Sequence, residues 1–350
     1  MAPFVRSTTN SRAKRVTIHE VARDAGVSKT SVSRYLGTER KLLSDTLRER
    51  IEDSIARLGF QPDRIASSLR GRRTRLIGMV VADMMNPYTV AMMHGAETAC
   101  RTHGYSLVVC NTDRDDELER RHLELLRAYS VEGLIVNTPG RNVEVLRTLV
   151  DEGPPMVLVD RYLGGIDVDM VGLDNAQATE LAMTHLFAQG YRDILMVSEP
   201  VAGISSRQER IDAFHTAITT MAQEAASGEV LQSSLQEEAA LDAALAAFLA
   251  RPAAGPKALL CANGVVTTHV CHALRRRGEI TFDETGLIGI DELDWCALVG
   301  PGISTVAQPT QDIGQAAVHQ LLARLQGSGT TTQQQYFAAA LNVRGSTRRR

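Results

Sequence analysis

The chain predicts an α/β protein in two parts, an N-terminal three-helix head of the helix-turn-helix kind and a two-lobed body on parallel sheets. Three observations carry this. Residues 17–36, TIHEVARDAGVSKTSVSRYL, read as two short helices broken by a glycine turn. From Leu76 onward, short β-branched runs alternate with helical patterns, as βα units on a parallel sheet require. The charge is also divided: the 350 residues carry a net −3, yet residues 1–75 hold 17 Lys and Arg against 8 Asp and Glu. A basic head on an acidic body points to a polyanionic partner for the head alone.

In chain order, residues 1–15 are polar and basic with no apolar run behind them, which excludes a secretory signal and predicts a disordered arm drawn non-specifically to phosphates. Thr17 with Glu20 forms a capping box, and Ile18, Val21, Ala22 and Ala25 recur at helical spacing behind it. Gly26 can take the positive φ that ends this helix, and Ser28 caps a second one whose Val32 and Leu36 turn back toward the first. That leaves Lys29, Thr30, Ser33 and Arg34 facing outward, donors and cations able to reach base edges or phosphates. Thr17, Ser28 and Ser31 can cap or donate to phosphate. Gly37–Leu43 reads as a polar loop, and Ser44 and Asp45 open a third helix with Leu47, Ile51, Ile55 and Leu58 on one stripe and Gly59 as its C-cap. Residues 16–60 thus make one small domain. Residues 61–75 form a basic linker in which Pro62 can start a short helix ending near Leu69.

The body spans residues 76–341, with residues 342–350 as a tail. Strands are expected at 76–82, 106–111, 133–137, 156–160, 169–174, 194–198, 258–263 and 286–291, with helices near 88–103, 116–129, 175–189, 207–225, 264–277 and 310–325. The run LDAALAAFLA (241–250) reads as a further packed helix. Two half-sheets joined by crossings near 160–175 and 285–310 would enclose a cleft between lobes.

The composition narrows the function. The five cysteines, Cys100, Cys110, Cys261, Cys271 and Cys296, form no CxxC pair, which fits a reducing cytoplasm. No run is long and apolar enough to span a bilayer. Walker, GxGxxG, GxSxG and HExxH motifs are absent, so no enzymatic activity and no cofactor is expected. His269 and His272 share a helix face but lack a third and fourth ligand, and no metal is expected. A secreted solute-binding protein would share the body, but not the basic head.

VTIHEVARDAGVSKTSVSR strongly resembles the head of the LacI family of bacterial repressors. The likeness continues through RIASSLRG and LIGMVVADMMNPY, and then through GLIVNT, VLVDR, ALLCAN, GIDELD and TVAQP over nearly the whole remainder. It implies a homodimer on a pseudo-palindromic operator in double-stranded DNA, a hinge, and a periplasmic-binding-protein-like effector body. By the same resemblance Lys29 and Thr30 determine base choice, with Ser33 and Arg34 continuing the groove-facing side. Ala66 and Leu69 fall where the family docks a hinge helix into the minor groove and wedges an apolar side chain between base pairs. Residues 62–69 are too few for a stable isolated helix, so the hinge is expected to be disordered in free protein and helical on operator.

For the effector, the resemblance points to Asn86, Tyr88, Asn137, Asp160, Arg161, Arg210, Asn263, Asp291 and Gln308, polar residues of a kind that also serves as turns and caps. Trp295 is a candidate for stacking on a sugar ring, with plain packing as the other reading. The stretch from Val80 to Asp115 looks most like repressors of sugar-acid catabolism, particularly the 2-ketogluconate-responsive type, and Arg161, Arg207 and Arg210 could grip a carboxylate. Three departures stand against the family pattern: Gly264 where Asp is frequent, Ala213 where Gly is usual, and a head loop LGTERKLLS about one residue longer. The first weakens a neutral-sugar effector; a corepressor in place of an inducer is the other variant.

Overall fold

The computed structural model describes residues 16–60, 73–221, 226–253, 255–278, 282, 284–328 and 331–348. The expected N-terminal arm and most of the hinge, with Ala66 and Leu69, lie outside the described residues. The chain divides into two compact units, Met1–Thr74 and Arg75–Arg350.

In the first unit three helices, α1 (Ile18–Asp24), α2 (Lys29–Tyr35) and α3 (Asp45–Leu58), close around Val21, Ala22, Ala25, Val32, Tyr35, Leu43 and Ile51. The capping box forms in both directions: Thr17 Oγ1 accepts from the Glu20 N–H, and Glu20 Oε2 accepts from the Thr17 N–H at 2.7 Å. Gly26 has φ +63°, and Arg50 Nη2 donates to the Ala25 and Gly26 carbonyls at 2.7 and 3.2 Å, fixing the turn between α1 and α2. The stretch expected as a polar loop contains a short 3₁₀ helix, Thr38–Leu42. It is held because Arg40 stacks on the Tyr35 ring and pairs with Glu52 on α3 at 3.0 Å.

The second unit has two lobes. The N-terminal lobe begins with β1 (Leu76–Val81), α4 (Pro87–Thr102), β2 (Ser106–Asn111), α5 (Asp116–Ala128), β3 (Gly133–Asn137), α6 (Val143–Glu152), β4 (Met156–Val159) and β5 (Asp169–Leu173). The chain then enters the C-terminal lobe through α7 (Asn175–Ala188), β6 (Asp193–Ser198), α8 (Ser205–Thr220), β7 (Ser227–Gln232), α9 (Glu238–Ala250), β8 (Lys257–Cys261), α10 (Gly264–Arg277), β9 (Thr285–Ile290) and β10 (Ser304–Ala307). Next, α11 (Thr310–Leu325) and β11 (Gln334–Phe337) return to the first lobe, and β12 (Ala340–Asn342) closes the second. The sheets read β11-β5-β4-β3-β1-β2 and β12-β10-β9-β8-β6-β7, parallel throughout except where β12 runs antiparallel to β10. Two crossings were expected; the chain makes three, the last between β11 and β12.

Each sheet carries apolar cores on both faces, which is why its central strands read as continuous hydrophobic runs. In the first lobe α11 crosses α4 backbone to backbone: a Cβ on Gly314 would lie 2.1 Å from the Met92 carbonyl oxygen, and one on Gly95 2.1 Å from that of Gln311. The strands β7, β10, β11 and β12 and the helix α6 were not read from the sequence. The expected tail from residue 342 is corrected as well. Ser346 and Thr347 are buried; Ser346 Oγ donates to the Leu287 carbonyl at 2.6 Å, and Thr347 Oγ1 meets Ser304 Oγ and His185 Nε2 at 2.6 and 2.7 Å. These bonds tie the last described turn to β9, β10 and α7.

Candidate functional site

In the first unit, Val32 and Tyr35 bury one side of α2, so the remaining side is the one offered outward. Thr30 and Arg34 are exposed, and Lys29 and Ser33 are half-buried. Arg34 Nε lies 3.2 Å from Glu39 Oε2, in a pair more than half exposed on both sides, which a phosphate could readily displace. Ser28 Oγ accepts from the Ser31 N–H at 3.1 Å and lies 2.9 Å from Ser31 Oγ, and the Thr17 hydroxyl donates to Glu20 at 2.9 Å. Thr17 and Ser28 therefore act first as caps, and the Ser31 hydroxyl pairs with that of Ser28; any phosphate contact comes in addition.

The second unit holds a cleft of about 790 Å³ between its lobes, at the carboxyl ends of the strands, where open α/β sheets bind ligands. From the N-terminal lobe it is lined by Asn86, Tyr88, Asn137, Asp160 and Arg161. Asn86 caps α4 by accepting from the Tyr88 N–H at 3.1 Å, and Asn137 Nδ2 donates to the Val159 carbonyl at 3.2 Å. Asp160 Oδ2 accepts from Arg161 Nη2 at 2.7 Å. The Tyr88 hydroxyl is buried with no hydrogen-bond partner among the described residues. Burial pushes its pKa well up, and the Asp160 and Asp291 carboxylates push the same way, so it faces the cleft as a neutral donor.

From the C-terminal lobe come Arg207 and Arg210 on α8, Asn263 before α10, Asp291 after β9 and Gln308 after β10. Arg210 is buried; its Nε donates to Asn175 Oδ1 at 2.8 Å and its Nη1 to the Ala262 carbonyl. Asp291 Oδ2 accepts from the Gly264 N–H at 2.8 Å, and its Oδ1 accepts from Gln308 Nε2. Arg207 Nη2 pairs with Glu199 Oε2 at 2.6 Å.

Ten of the eleven residues expected at an effector site therefore line one cleft, and Trp295 does not. Its indole sits in the 3₁₀ turn Asp294–Ala297 against the apolar core of the C-terminal lobe, because that turn packs inward around the fully buried Cys296. The sequence reading missed Glu199, Arg114 and His269, all of which line the cleft. Glu199 directly follows β6, so the strand-end rule that picked out the other residues applies to it equally. Burial works to raise the Glu199 carboxyl, but Arg207 and Arg114, with the Asn263 amide, outweigh it and hold the group below the usual carboxylate range. The lining carries five arginines and six carboxylates, so the cleft suits a small polyhydroxylated ligand and is not a cationic sink. Among the described residues no cluster of three or more His, Cys, Asp or Glu is arranged to hold a metal, and no helix is long and apolar enough to cross a membrane.

A helix-turn-helix unit followed by a two-lobed body with a polar cleft defines a ligand-controlled DNA-binding regulator. Residues 17–63 match the model for bacterial regulatory proteins of the lacI family, and residues 74–336 match that for periplasmic binding proteins and the sugar binding domain of the LacI family. The chain belongs to the LacI family of transcription regulators, not to a class of enzymes. It is 55% identical over 340 residues to the HTH-type transcriptional regulator PtxS of Pseudomonas plecoglossicida, covering 97% of this chain and 98% of that one. It is 36% identical to the regulator KdgR of Bacillus subtilis, over 89% and 91% of the two chains. Among solved structures, the lac repressor dimer bound to operator and the anti-inducer ONPF matches with a TM-score of 0.81 at 22% identity, over 96% of this chain and all of that one.

Proposed function

We propose that the protein is a homodimeric repressor, working in the cytoplasm and on the nucleoid, that leaves a palindromic operator when a sugar acid such as 2-ketogluconate enters the cleft. Lys29, Thr30, Ser33 and Arg34 read bases in the major groove, Thr17, Ser28 and Ser31 add phosphate contacts, and Ala66 and Leu69 enter the minor groove. Residues 16–60 act as the reading domain, 61–75 as the hinge and 76–341 as the effector and dimerisation body. The observation that carries the effector reading is the meeting of Arg161, Arg207 and Arg210 with the unpartnered Tyr88 hydroxyl in one cleft. Guanidinium groups and a neutral phenol are donors suited to a carboxylate flanked by hydroxyls.

The six carboxylates of the same lining favour a second reading, a neutral sugar bound through its hydroxyls alone, acting as inducer or corepressor. Calorimetric titration with aldonic acids, 2-ketoaldonic acids and neutral hexoses separates the two. Tight binding of a neutral hexose with no binding of any sugar acid would overturn the first reading. Deleting residues 1–60 should abolish operator binding in a gel-shift assay and leave ligand binding intact.

A further inference from the structure

Three donors converge on one buried carboxylate at the cleft wall. Arg114 Nη1 reaches Glu199 Oε1 at 3.0 Å from the N-terminal lobe, while Arg207 Nη2 and Asn263 Nδ2 reach Oε2 at 2.6 and 3.1 Å from the C-terminal lobe. Only 8% of the Glu199 side chain is exposed. The cage is held from behind. Asn263 is oriented because its Oδ1 caps α10 by accepting from the Val266 N–H at 2.9 Å, and Arg207 Nη1 donates to the Pro200 carbonyl at 2.7 Å. Arg114 and its neighbour Asp113 both adopt left-handed backbone, with φ of 61° and 49°, a conformation that costs free energy for residues other than glycine and persists where surrounding structure enforces it.

We infer that Arg114, Arg207 and Asn263 form the carboxylate subsite of the effector cleft and that Glu199 is its built-in occupant, which a ligand carboxylate must displace. This deepens the sugar-acid reading and rests on it. A set of donors that already holds one carboxylate in bidentate fashion has the geometry to hold another. Arg210 is a poorer candidate, since its Nε and Nη1 are already given to the neutral acceptors Asn175 Oδ1 and the Ala262 carbonyl. Because Arg114 and Glu199 belong to different lobes, displacement also breaks an ion pair between them, giving the ligand a direct handle on the lobes' relative position.

The test is calorimetry on full-length wild type, E199Q, R207M and R114M, titrated with 2-ketogluconate and with the neutral ketose fructose, with melting curves confirming folding. A neutral occupant is easier to displace, so E199Q should bind 2-ketogluconate about tenfold tighter, while R207M binds it at least about tenfold weaker. R114M, at a side chain 41% exposed, is expected to fold regardless and to weaken 2-ketogluconate several-fold. Fructose binding should not follow this pattern. If 2-ketogluconate binds wild type but its affinity ignores all three substitutions, the sugar-acid reading stands and the cage is wrong. Binding of fructose in place of 2-ketogluconate overturns both.

Discussion

The fourth strand of each lobe, β4 in the first and β9 in the second, is followed directly by an aspartate with left-handed backbone, Asp160 at φ 75° and Asp291 at φ 88°. Both N–H groups donate to the neighbouring strand, Asp160 to the Val171 carbonyl at 3.0 Å and Asp291 to that of Val306 at 2.9 Å. From this common backbone the carboxylates diverge. Asp160 takes the guanidinium next to it in sequence, Arg161, and the pair lies on the cleft wall. Asp291 instead ties the N–H at the start of α10 and the Gln308 amide into one corner. A repeated topology thus places equivalent aspartates after equivalent strands of the two lobes, and the neighbouring residues decide which partners each carboxylate takes.

The largest effect should come at the seam between α4 and α11, where backbones approach most closely. Gly314→Ala drives a Cβ into the Met92 carbonyl across the α4–α11 seam, so it should lower stability by about 3 kcal/mol in denaturant titration. In the other lobe a Cβ on Gly286 would meet only side-chain atoms, those of the buried Tyr191 ring, and not backbone, so Gly286→Ala should lose less, about half as much. Equal losses would dissolve the contrast. Next come the paired aspartates: Asp291→Asn is expected to lose about 2–3 kcal/mol by weakening two charge-assisted bonds in the clamp, and Asp160→Asn about 1–2 kcal/mol, since it weakens only the largely buried pair with the adjacent Arg161. Comparable losses would mean that Asp160 is also a clamp.

The smallest effect is a pH split between the lobes. Burial lowers the His185 pKa, so its contribution is present above the value of about 6.5 for a solvated imidazole and is lost as pH falls through its lower folded value. Asp169 runs the other way in cause but not in sign: burial raises it, while Arg324 and the Gln333 N–H outweigh burial and hold it low, so its contribution persists until pH drops below about 4. Hydrogen exchange should therefore show the C-terminal lobe loosening around Thr347 between pH 7 and 5, before the Asp169–Arg324 pair gives way in the first lobe. Loosening in the reverse order would contradict both assignments.

What could be read ahead of the structure was local. The caps at Thr17, Ser28 and Gly59, and the β-branched central strands, announce themselves within a few residues. The missed strands are short or lie at sheet edges: β7 and β11 are largely solvent-facing and so need no apolar run. Helix α6, VEVLRTLVDE, carries three valines that blur helix against strand. The cage around Glu199 was invisible for a different reason, because its partners Arg114 and Asn263 stand 85 and 64 residues away in sequence. Trp295 is the reverse case, a chemically conspicuous residue that packs half-buried against the core and does not line the cleft.

The central claim is that sugar-acid binding in the cleft releases the head from DNA. Fluorescence anisotropy on a labelled operator, with full-length protein at fixed salt and increasing 2-ketogluconate, measures this directly. The expected result is a fall in operator affinity of about 5- to 150-fold, corresponding to a coupling of about 1–3 kcal/mol. An operator affinity that stays constant or rises at saturating 2-ketogluconate would contradict it.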